Sequence, residues 1–322
     1  MLNSNSCEAP VLPQAAESEF CRAVLAGLSR RQKSLPCRFL YDARGSALFE
    51  AITDLPEYYP TRTEMAILKS NVGTMVQEVP PGAVLVEFGS GSSRKTEVLL
   101  SKLRHLRAYV MIDVSASALA DAQQRLARRY PGLDVRTIQA DFTLPFALPA
   151  DLHAAQKVGF FPGSTIGNLM PTEAQRLLRL FRAILSPHGR LIVGVDLKKD
   201  ANVLIPAYND GAGVTAAFNL NLLDRINREI EPCFDLRNFR HEAIYNSRDG
   251  RVEMHLVSLV PQEIRIRGTS FFFEEGESIH TENSYKYTIS QFRYLAGSAG
   301  WHLQETWTDK RDYFSVHALV SV

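Results

Sequence analysis

Short apolar runs at 83–88, 108–113, 134–140, 157–161 and 190–196 alternate with segments at 94–103, 116–129 and 171–186 whose apolar positions return at helical spacing. Strands separated by helices need crossover connections, so this stretch predicts a parallel, doubly wound sheet. Ahead of it lie a helix from about 17 to 32, where Phe20, Val24, Leu25 and Leu28 share a face, and a long helix over 61–79. Between them, "SLPCRFLYDARGSALFEAITDLPEYYPTR" mixes turn residues with aromatics.

After Asp196 the rhythm breaks. Val214, Phe218, Leu222 and Ile226 stand four apart on one face of an amphipathic helix, and 238–247, 252–260, 262–267 and 270–274 read as consecutive antiparallel strands. A helix over 288–298 and strands near 301–308 and 313–320 close the chain. The expected organisation is α/β with two domains. Residues 61–196 plus 285–322 form the wound-sheet domain, 15–60 plus 197–284 a smaller α+β domain, and 1–14 a flexible N-terminus.

Composition adds constraints. With 36 basic against 35 acidic residues the net charge is +1, so no broad field draws nucleic acid or an anionic membrane, and a small molecule is the expected partner. Cys7, Cys21, Cys37 and Cys233 have neither CxxC nor histidine-flanked spacing, which predicts reduced thiols, no metal and a cytoplasmic setting. The opening "MLNSNSCEAPVLPQ" lacks a basic region followed by an apolar one. No apolar run approaches the roughly 20 residues that cross a bilayer. Without heptads or an obvious apolar patch, a monomer is expected. The segment "LKKD", Lys198 to Asp200, reads as solvated surface rather than a hinge or gate.

The chemistry begins where the first strand runs into "EFGSGSSRKT". A phosphate-binding GxxxxGK[ST] loop would need a glycine where Arg94 stands, and a dinucleotide GxGxxG loop would need one at the same place. S-adenosylmethionine has no phosphate and does not need that glycine. It needs an acid at a strand end and a glycine turn that lets the ligand pass close to bare backbone, which Glu87, Gly89 and Gly91 supply. Asp113 closes the next strand, where a carboxylate can accept both ribose hydroxyls; taken alone it would more simply cap the following helix. Asp141 and Phe142 close the third, offering an acceptor for the adenine amine and a ring for stacking. These strand ends share the carboxyl edge of the sheet, where ligands of open α/β folds bind.

Several stretches together resemble one family: "FLYDARGSALFEAITDLPEYYPTRTE", "VEFGSGSSRKT", "IDVS", "ADF", "FFPGSTIGNLMPTE", "VDLKKD", "AYNDGAGVTAAFNLNLLDRIN" and "TENSYKY". The chain is similar, from about residue 18 onward, to the bacterial histidine Nα-methyltransferases of ergothioneine biosynthesis. The resemblance implies a Rossmann-like class I methyltransferase sheet with a smaller substrate domain. It also implies trimethylation of free L-histidine to hercynine, with S-adenosyl-L-homocysteine as by-product. It carries the cofactor over to Gly89, Lys95, Asp113, Asp141 and Phe142, and the substrate carboxylate to Asn168 and Tyr208. It carries the imidazole to Tyr58, Met254, Glu282 and Ser284, and the amine to Tyr41, with Phe49 and Gly163 nearby.

Taken alone, Tyr58 reads as half-buried packing, Met254 as core, and Glu282 with Ser284 as one face of an extended stretch. In-line methyl transfer needs a neutral amine held behind the methyl carbon, a task for Tyr41, and the quaternary product is suited to the faces of Tyr41 and Phe49. Three other readings compete. A tryptophan N-methyltransferase would want a smaller residue than Met254 and no Glu282, Arg94 speaks against a nicotinamide-dependent oxidoreductase, and the full set of substrate positions speaks against a non-catalytic cofactor-binding regulator.

Overall fold

The chain forms a seven-stranded, mainly parallel sheet flanked by helices, with a second layer of antiparallel strands and helices beside it, in a computed structural model that describes residues 18–77, 79–91 and 93–322. The expected flexible segment 1–14 and Cys7 lie outside the described residues.

The N-terminal part runs through α1 (Glu19–Leu28), a 3₁₀ turn at Cys37–Leu40, α2 (Ala43–Thr53) and α3 (Tyr59–Met75). The sequence pattern does not show α2, which is short and weakly amphipathic; its start is fixed by Asp42, whose carboxylate accepts the Gly45 N–H at 2.7 Å. Gly45 is required there because a Cβ would overlap the Leu40 carbonyl. Helix α3 begins earlier than the expected 61, with Pro60 in its first turn, and ends before the expected 79.

The sheet is built from β1 (Val84–Phe88), β2 (Ala108–Asp113), β3 (Val135–Gln139), β4 (Lys157–Phe161) and β5 (Arg190–Asp196). Their crossovers carry α4 (Thr96–Leu100), α5 (Ala116–Arg129) and α6 (Pro171–Leu185). Only a five-residue helix forms where 94–103 was expected. Strands β1 and β4 are buried throughout and read as apolar runs, as a sheet covered on both faces requires, whereas β3 at the edge is half-exposed.

Beyond β5 come α7 (Ala201–Tyr208), α8 (Val214–Glu229), β6 (Phe239–Asn246), β7 (Arg251–Ser258), β8 (Gln262–Ile266), β9 (Thr269–Phe273) and β10 (Ser278–Tyr285). Then α9 (Ile289–Ser298), β11 (Trp301–Thr308) and β12 (Phe314–Ser321) return to the large sheet. Its order is β11-β12-β5-β4-β1-β2-β3, with β1 to β5 mutually parallel and β12 antiparallel to β5. The four expected consecutive antiparallel strands resolve differently. Among the described residues, strands β8 and β9 pair only with each other, and the second neighbour of β7 is β10, a strand too polar to stand out in the sequence.

Chain direction across the sheet reverses between β1 and β4, which opens a crevice at their carboxyl ends. Apolar clusters fill both faces of the sheet. A third cluster joins residues between Phe20 and Tyr59 to residues between Leu204 and Ile279, so the N-terminal helices and the segment after β5 share one core. Strand β10 leads from that core back to the crevice.

Candidate active site

At the carboxyl end of β1 the backbone turns through Gly89 (φ +72°) and Gly91 (φ +45°), a conformation open to glycine. A Cβ on Gly89 would lie 3.2 Å from the Phe142 ring, so the loop and Phe142 form the two sides of one narrow space. Asp113 stands at the end of β2 and accepts the Gly91 N–H at 3.0 Å and the Ser115 N–H at 3.0 Å. It does not cap α5; Ser115 does, accepting from Ala118. Asp141 holds its turn through the Thr143 N–H at 2.9 Å and faces Arg38 at 3.6 Å. The strand-end trio expected from the sequence therefore converges on one edge.

Glu87 departs from expectation. Its carboxylate points beneath the loop, where it accepts from Thr96 Oγ1 at 2.5 Å and from the Tyr109 hydroxyl. Burial pushes it up to about 7, against the pull of those bonds and of Lys95. It supports the loop from inside and presents no oxygen to a ligand.

Lys95 reaches a partner that sequence reading missed. Its Nζ lies 2.6 Å from Oε2 of Glu64, a residue of α3 with no exposed surface, and the same carboxylate accepts the Gly163 N–H at 2.9 Å. Gly163 has φ +83°, and a Cβ there would stand 3.4 Å from Lys95 Nζ. Gly194 in β5 makes the room: a Cβ on it would overlap the Glu64 carboxylate. Helix α3 thus ties the loop after β1 to the loop after β4 across the crevice. Asn168 ends the short turn Thr165–Asn168 after β4, half-buried, and that turn packs on β10, where a Cβ on Gly167 would stand 2.8 Å from the Tyr285 carbonyl.

On the opposite wall, Glu282 of β10 faces Met254 of β7 in the ladder, and both are buried. Among the described residues, Glu282 Oε2 is buried without a hydrogen-bond partner. Burial pushes this acid up to about 7, with the Lys286 charge opposing. Its charge in turn weakens the acidity of Tyr41, Tyr58, Tyr208 and Cys37, after burial as the main cause in each; Cys37 is pushed up to about 12. The aromatic rings form a continuous wall. Tyr41 meets Phe49 at 5.5 Å and Phe218 at 5.4 Å, Phe49 meets Tyr58 at 6.2 Å, and Tyr58 meets Tyr208 at 6.1 Å. The sequence pattern places Phe218 on a helix face, and the fold brings it into this wall. Tyr58 is buried, not half-buried.

Behind the wall lies a charged network. Lys286 Nζ donates to Asp196 Oδ2 at 2.6 Å, Tyr208 Oη at 2.7 Å and Ser284 Oγ at 2.8 Å. Lys199 donates to Asp196 Oδ1 at 2.6 Å and to Tyr59 Oη at 2.8 Å, and Tyr59 donates to Asp196 at 2.7 Å. Burial raises Asp196, but the two lysine charges and their hydrogen bonds outweigh it and hold the acid below its ordinary value. Burial lowers Lys199 to about 8. The "LKKD" segment is therefore mixed: Lys198 and Asp200 are exposed, but the Lys199 ammonium is built into the interior, with 5 % of its side chain exposed.

Among the described residues one group has the types of a metal site, Glu253, His255 and His280. It lies on the opposite face of the β10-β7 ladder from Glu282, and its polar atoms bond one another, Ser278 and Arg251. Among the described residues, Cys37 and Cys233 are free thiols, and no helix is long and apolar enough to cross a membrane.

Residues 20–321 match the family described as "Histidine-specific methyltransferase, SAM-dependent". The chain is 40% identical over 306 residues to a histidine N-alpha-methyltransferase of Mycolicibacterium smegmatis, covering 93% of this chain and 94% of that one. It is 39% identical over 301 residues to the histidine N-alpha-methyltransferase of Mycobacterium tuberculosis, covering 92% of each. It is 30% identical over 293 residues to the ergothioneine biosynthesis protein 1 of Neurospora crassa, covering 87% of this chain and 32% of that longer one.

Proposed function

The chain belongs to the histidine-specific, S-adenosylmethionine-dependent methyltransferases, and we propose that it trimethylates the α-amine of free L-histidine to hercynine, the first step of ergothioneine biosynthesis. One observation carries the choice of substrate. Glu282 is a buried acid with an unpartnered oxygen, walled by Tyr41, Tyr58, Tyr208 and Met254, and an imidazole N–H is the group that satisfies it. An indole N–H could reach one oxygen, but its bulk would have to displace Met254, so tryptophan is the weaker substrate.

The loop fits S-adenosylmethionine. Gly89 leaves backbone bare beside Phe142, Asp113 and Asp141 stand as hydrogen-bond acceptors at successive strand ends, and Lys95 is held at the crevice by Glu64. When bound, this cofactor supplies an electrophilic methyl group on a sulfonium and leaves as S-adenosylhomocysteine. The protein's task is to bring a neutral nitrogen into line with it. An α-amine titrates near pH 8 in model peptides, so modest help is enough.

Tyr41 orients that nitrogen. Burial and the Glu282 charge keep its phenol protonated, so it acts as a hydrogen-bond partner and not as a strong base. Asn168 and Tyr208 hold the carboxylate, while Glu282 and Ser284 hold the ring, fixing the amine from both ends. As methyl groups accumulate, the nitrogen loses its N–H groups, and the faces of Tyr41, Phe49 and Phe218 stabilise the resulting cation by about 0.5–2 kcal/mol each.

We further propose that 61–196 plus 285–322 act as the cofactor domain and 15–60 plus 197–284 as the substrate domain, supported by their separate apolar clusters. The protein would work as a cytoplasmic monomer without a metal. The test is mass spectrometry of histidine incubated with protein and S-adenosylmethionine. Additions of one, two and three methyls are expected, and no mass gain on histidine would overturn the reading.

A further inference from the structure

Lys286 is buried behind the substrate wall, and the reading above gives it no role. An ammonium has three N–H donors, and all three of Lys286's are used, on Asp196, Tyr208 and Ser284. It can give nothing to a ligand. What it does is fix what its neighbours can give.

Tyr208 and Ser284 carry one hydroxyl hydrogen each and lie 2.7 Å apart, so one of those hydrogens is used between them. One is left. If Tyr208 directs it at the substrate carboxylate, Ser284 must donate to Tyr208. The Ser284 oxygen, already accepting from Lys286, then meets the ring only as an acceptor, and a ring nitrogen facing it must carry a hydrogen. The other ring nitrogen faces Glu282, whose Oε2 is buried and unpartnered.

We propose that Lys286 is a positioning residue that makes the pocket demand a hydrogen in both contacts of the ring, one toward Ser284 and one between the other ring nitrogen and Glu282, so that ring and Glu282 together hold one proton more than neutral imidazole plus carboxylate. This rests on the reading of Tyr208 as the carboxylate contact. The extra proton comes from solvent, and its two placements are equivalent in count: imidazolium against carboxylate, or neutral imidazole against carboxylic acid. The surroundings suit a shared proton. The charged and titratable groups around Glu282 are Lys286, Tyr41, Tyr58, Tyr208 and Cys37, and Lys286 is itself balanced by Asp196, which also pairs with Lys199 and Tyr59.

The buried Lys286 ammonium thus stands at the junction of two hydroxyls with different duties. Without it, Tyr208 and Ser284 need not bond each other, each could donate to the substrate, and a neutral ring would satisfy the site. Lys286 thereby converts a site for any ring with one N–H into a site for a ring that can carry two.

The experiment is titration calorimetry of the full chain, loaded with S-adenosylhomocysteine, against hercynine at pH 8 in buffers of different ionisation enthalpy. Hercynine's quaternary nitrogen has no proton to lose, so the buffer dependence reports the ring and Glu282 alone. Wild-type protein is expected to take up close to one proton per hercynine bound. Ser284→Ala, which removes the second ring contact, and Lys286→Met, which frees both hydroxyls, are expected to take up distinctly less. Hercynine that binds wild type with no proton uptake overturns this inference and leaves the methyltransferase reading standing; hercynine that fails to bind at all overturns both. Should Lys286→Met fail to fold, wild type and Ser284→Ala decide the matter, since uptake unchanged in Ser284→Ala contradicts the demand at the second nitrogen.

Discussion

Glu282 stands directly opposite Met254 across the β10-β7 ladder, although His280, two residues earlier, pairs with His255 on the other face. In a regular strand, residues two apart share a face. An irregularity between His280 and Glu282 breaks that rule: it leaves Thr281 as an extra residue and turns Glu282 and Ser284 inward, while His280 remains outside stacked on His255 at 4.9 Å. Thr281 fastens the bulge by donating to the Met254 carbonyl at 3.1 Å.

Deleting Thr281 should remove the bulge yet leave Glu282 opposite Met254 and facing inward, because His280 and Glu282 would then be neighbours on opposite faces of a regular strand. Only the Thr281 bond to the Met254 carbonyl and the local twist are lost. Histidine binding is expected to fall by no more than about tenfold, the loss of one hydrogen bond and the local twist it fastens, while S-adenosylhomocysteine binding changes little. A loss of about a hundredfold or more in histidine binding alone would mean that the bulge itself aims Glu282 and Ser284. Calorimetry with each ligand checks this. Equal losses for both ligands would mean that the bulge serves folding, not recognition.

Glu282→Ala should cut kcat/KM for histidine by about two orders of magnitude or more, because the ring loses its charged partner. The vacated space adjoins Met254 and an aromatic wall, so turnover of tryptophan or phenylalanine is expected to rise above the wild-type level. Steady-state kinetics on a panel of amino acids gives the answer, and unchanged kcat/KM for histidine would remove Glu282 from the ring contact.

What could be read from the chain differed sharply between its two regions. Strands β1, β2, β4 and β5 are apolar because they are covered on both faces, so Asp113 and the glycines at their ends were visible in the sequence. Strand β10, "SIHTENSY", lines a polar pocket on one side and the Glu253, His255 and His280 group on the other, so no apolar alternation marks it. Helix α7 contains Pro206, and α2 contains a glycine required by Leu40, both of which blur a helical pattern. Glu64 could not be found locally, since its partners Lys95 and Gly163 come from distant loops. The same holds for Lys286 and Asp196, whose pairing exists only once β10 lies beside the end of β5. Glu87 misled in the other direction: a strand-end acid looks like a ligand contact until Thr96 and Tyr109 are seen to enclose it.

Gly194→Ala should disturb the cofactor side from a distance. Its Cβ cannot coexist with the Glu64 carboxylate, so Glu64 must shift and release Lys95 and the Gly163 N–H together. S-adenosylmethionine affinity is expected to drop about tenfold or more, with a lower Tm from the disturbed buried pair. The smaller change Glu64→Gln keeps the volume and should weaken the cofactor site with less loss of Tm. Normal affinity in a folded Gly194→Ala protein would show that the cluster does not position Lys95 for the cofactor.

Tyr41→Phe should lower kcat by roughly 10- to 100-fold while leaving the pH midpoints of the rate profile in place. The wild-type phenol is held well above its ordinary value by burial and by Glu282, so it contributes no ionisation in the working range. Loss of the alkaline limb in the variant would instead identify Tyr41 as a titrating base.

Glu87 gives a stability prediction with a definite sign. Its folded value of about 7 lies above the ordinary 4.5, with burial as the main cause. Between those values the folded state binds more protons than the unfolded chain, so the contribution of this acid is fully present below about pH 4.5 and declines as pH rises to about 7, beyond which it is flat. Removing the ionisable group in Glu87→Gln should remove that slope. The stability of wild type relative to Glu87→Gln, measured by urea denaturation, is expected to fall by up to about 3 kcal/mol between pH 4.5 and pH 8. Glu253 works in the opposite sense: hydrogen bonds from Asn246, Arg251 and His255 outweigh burial and hold it at about 2, so its contribution is lost as pH falls from about 4.5 toward 2. Glu253 is present in both proteins, so its contribution cancels from the difference between wild type and Glu87→Gln at every pH. A gap between the two proteins that does not change with pH would mean that Glu87 is ionised throughout, stabilised by Thr96 and Tyr109 more than burial opposes it.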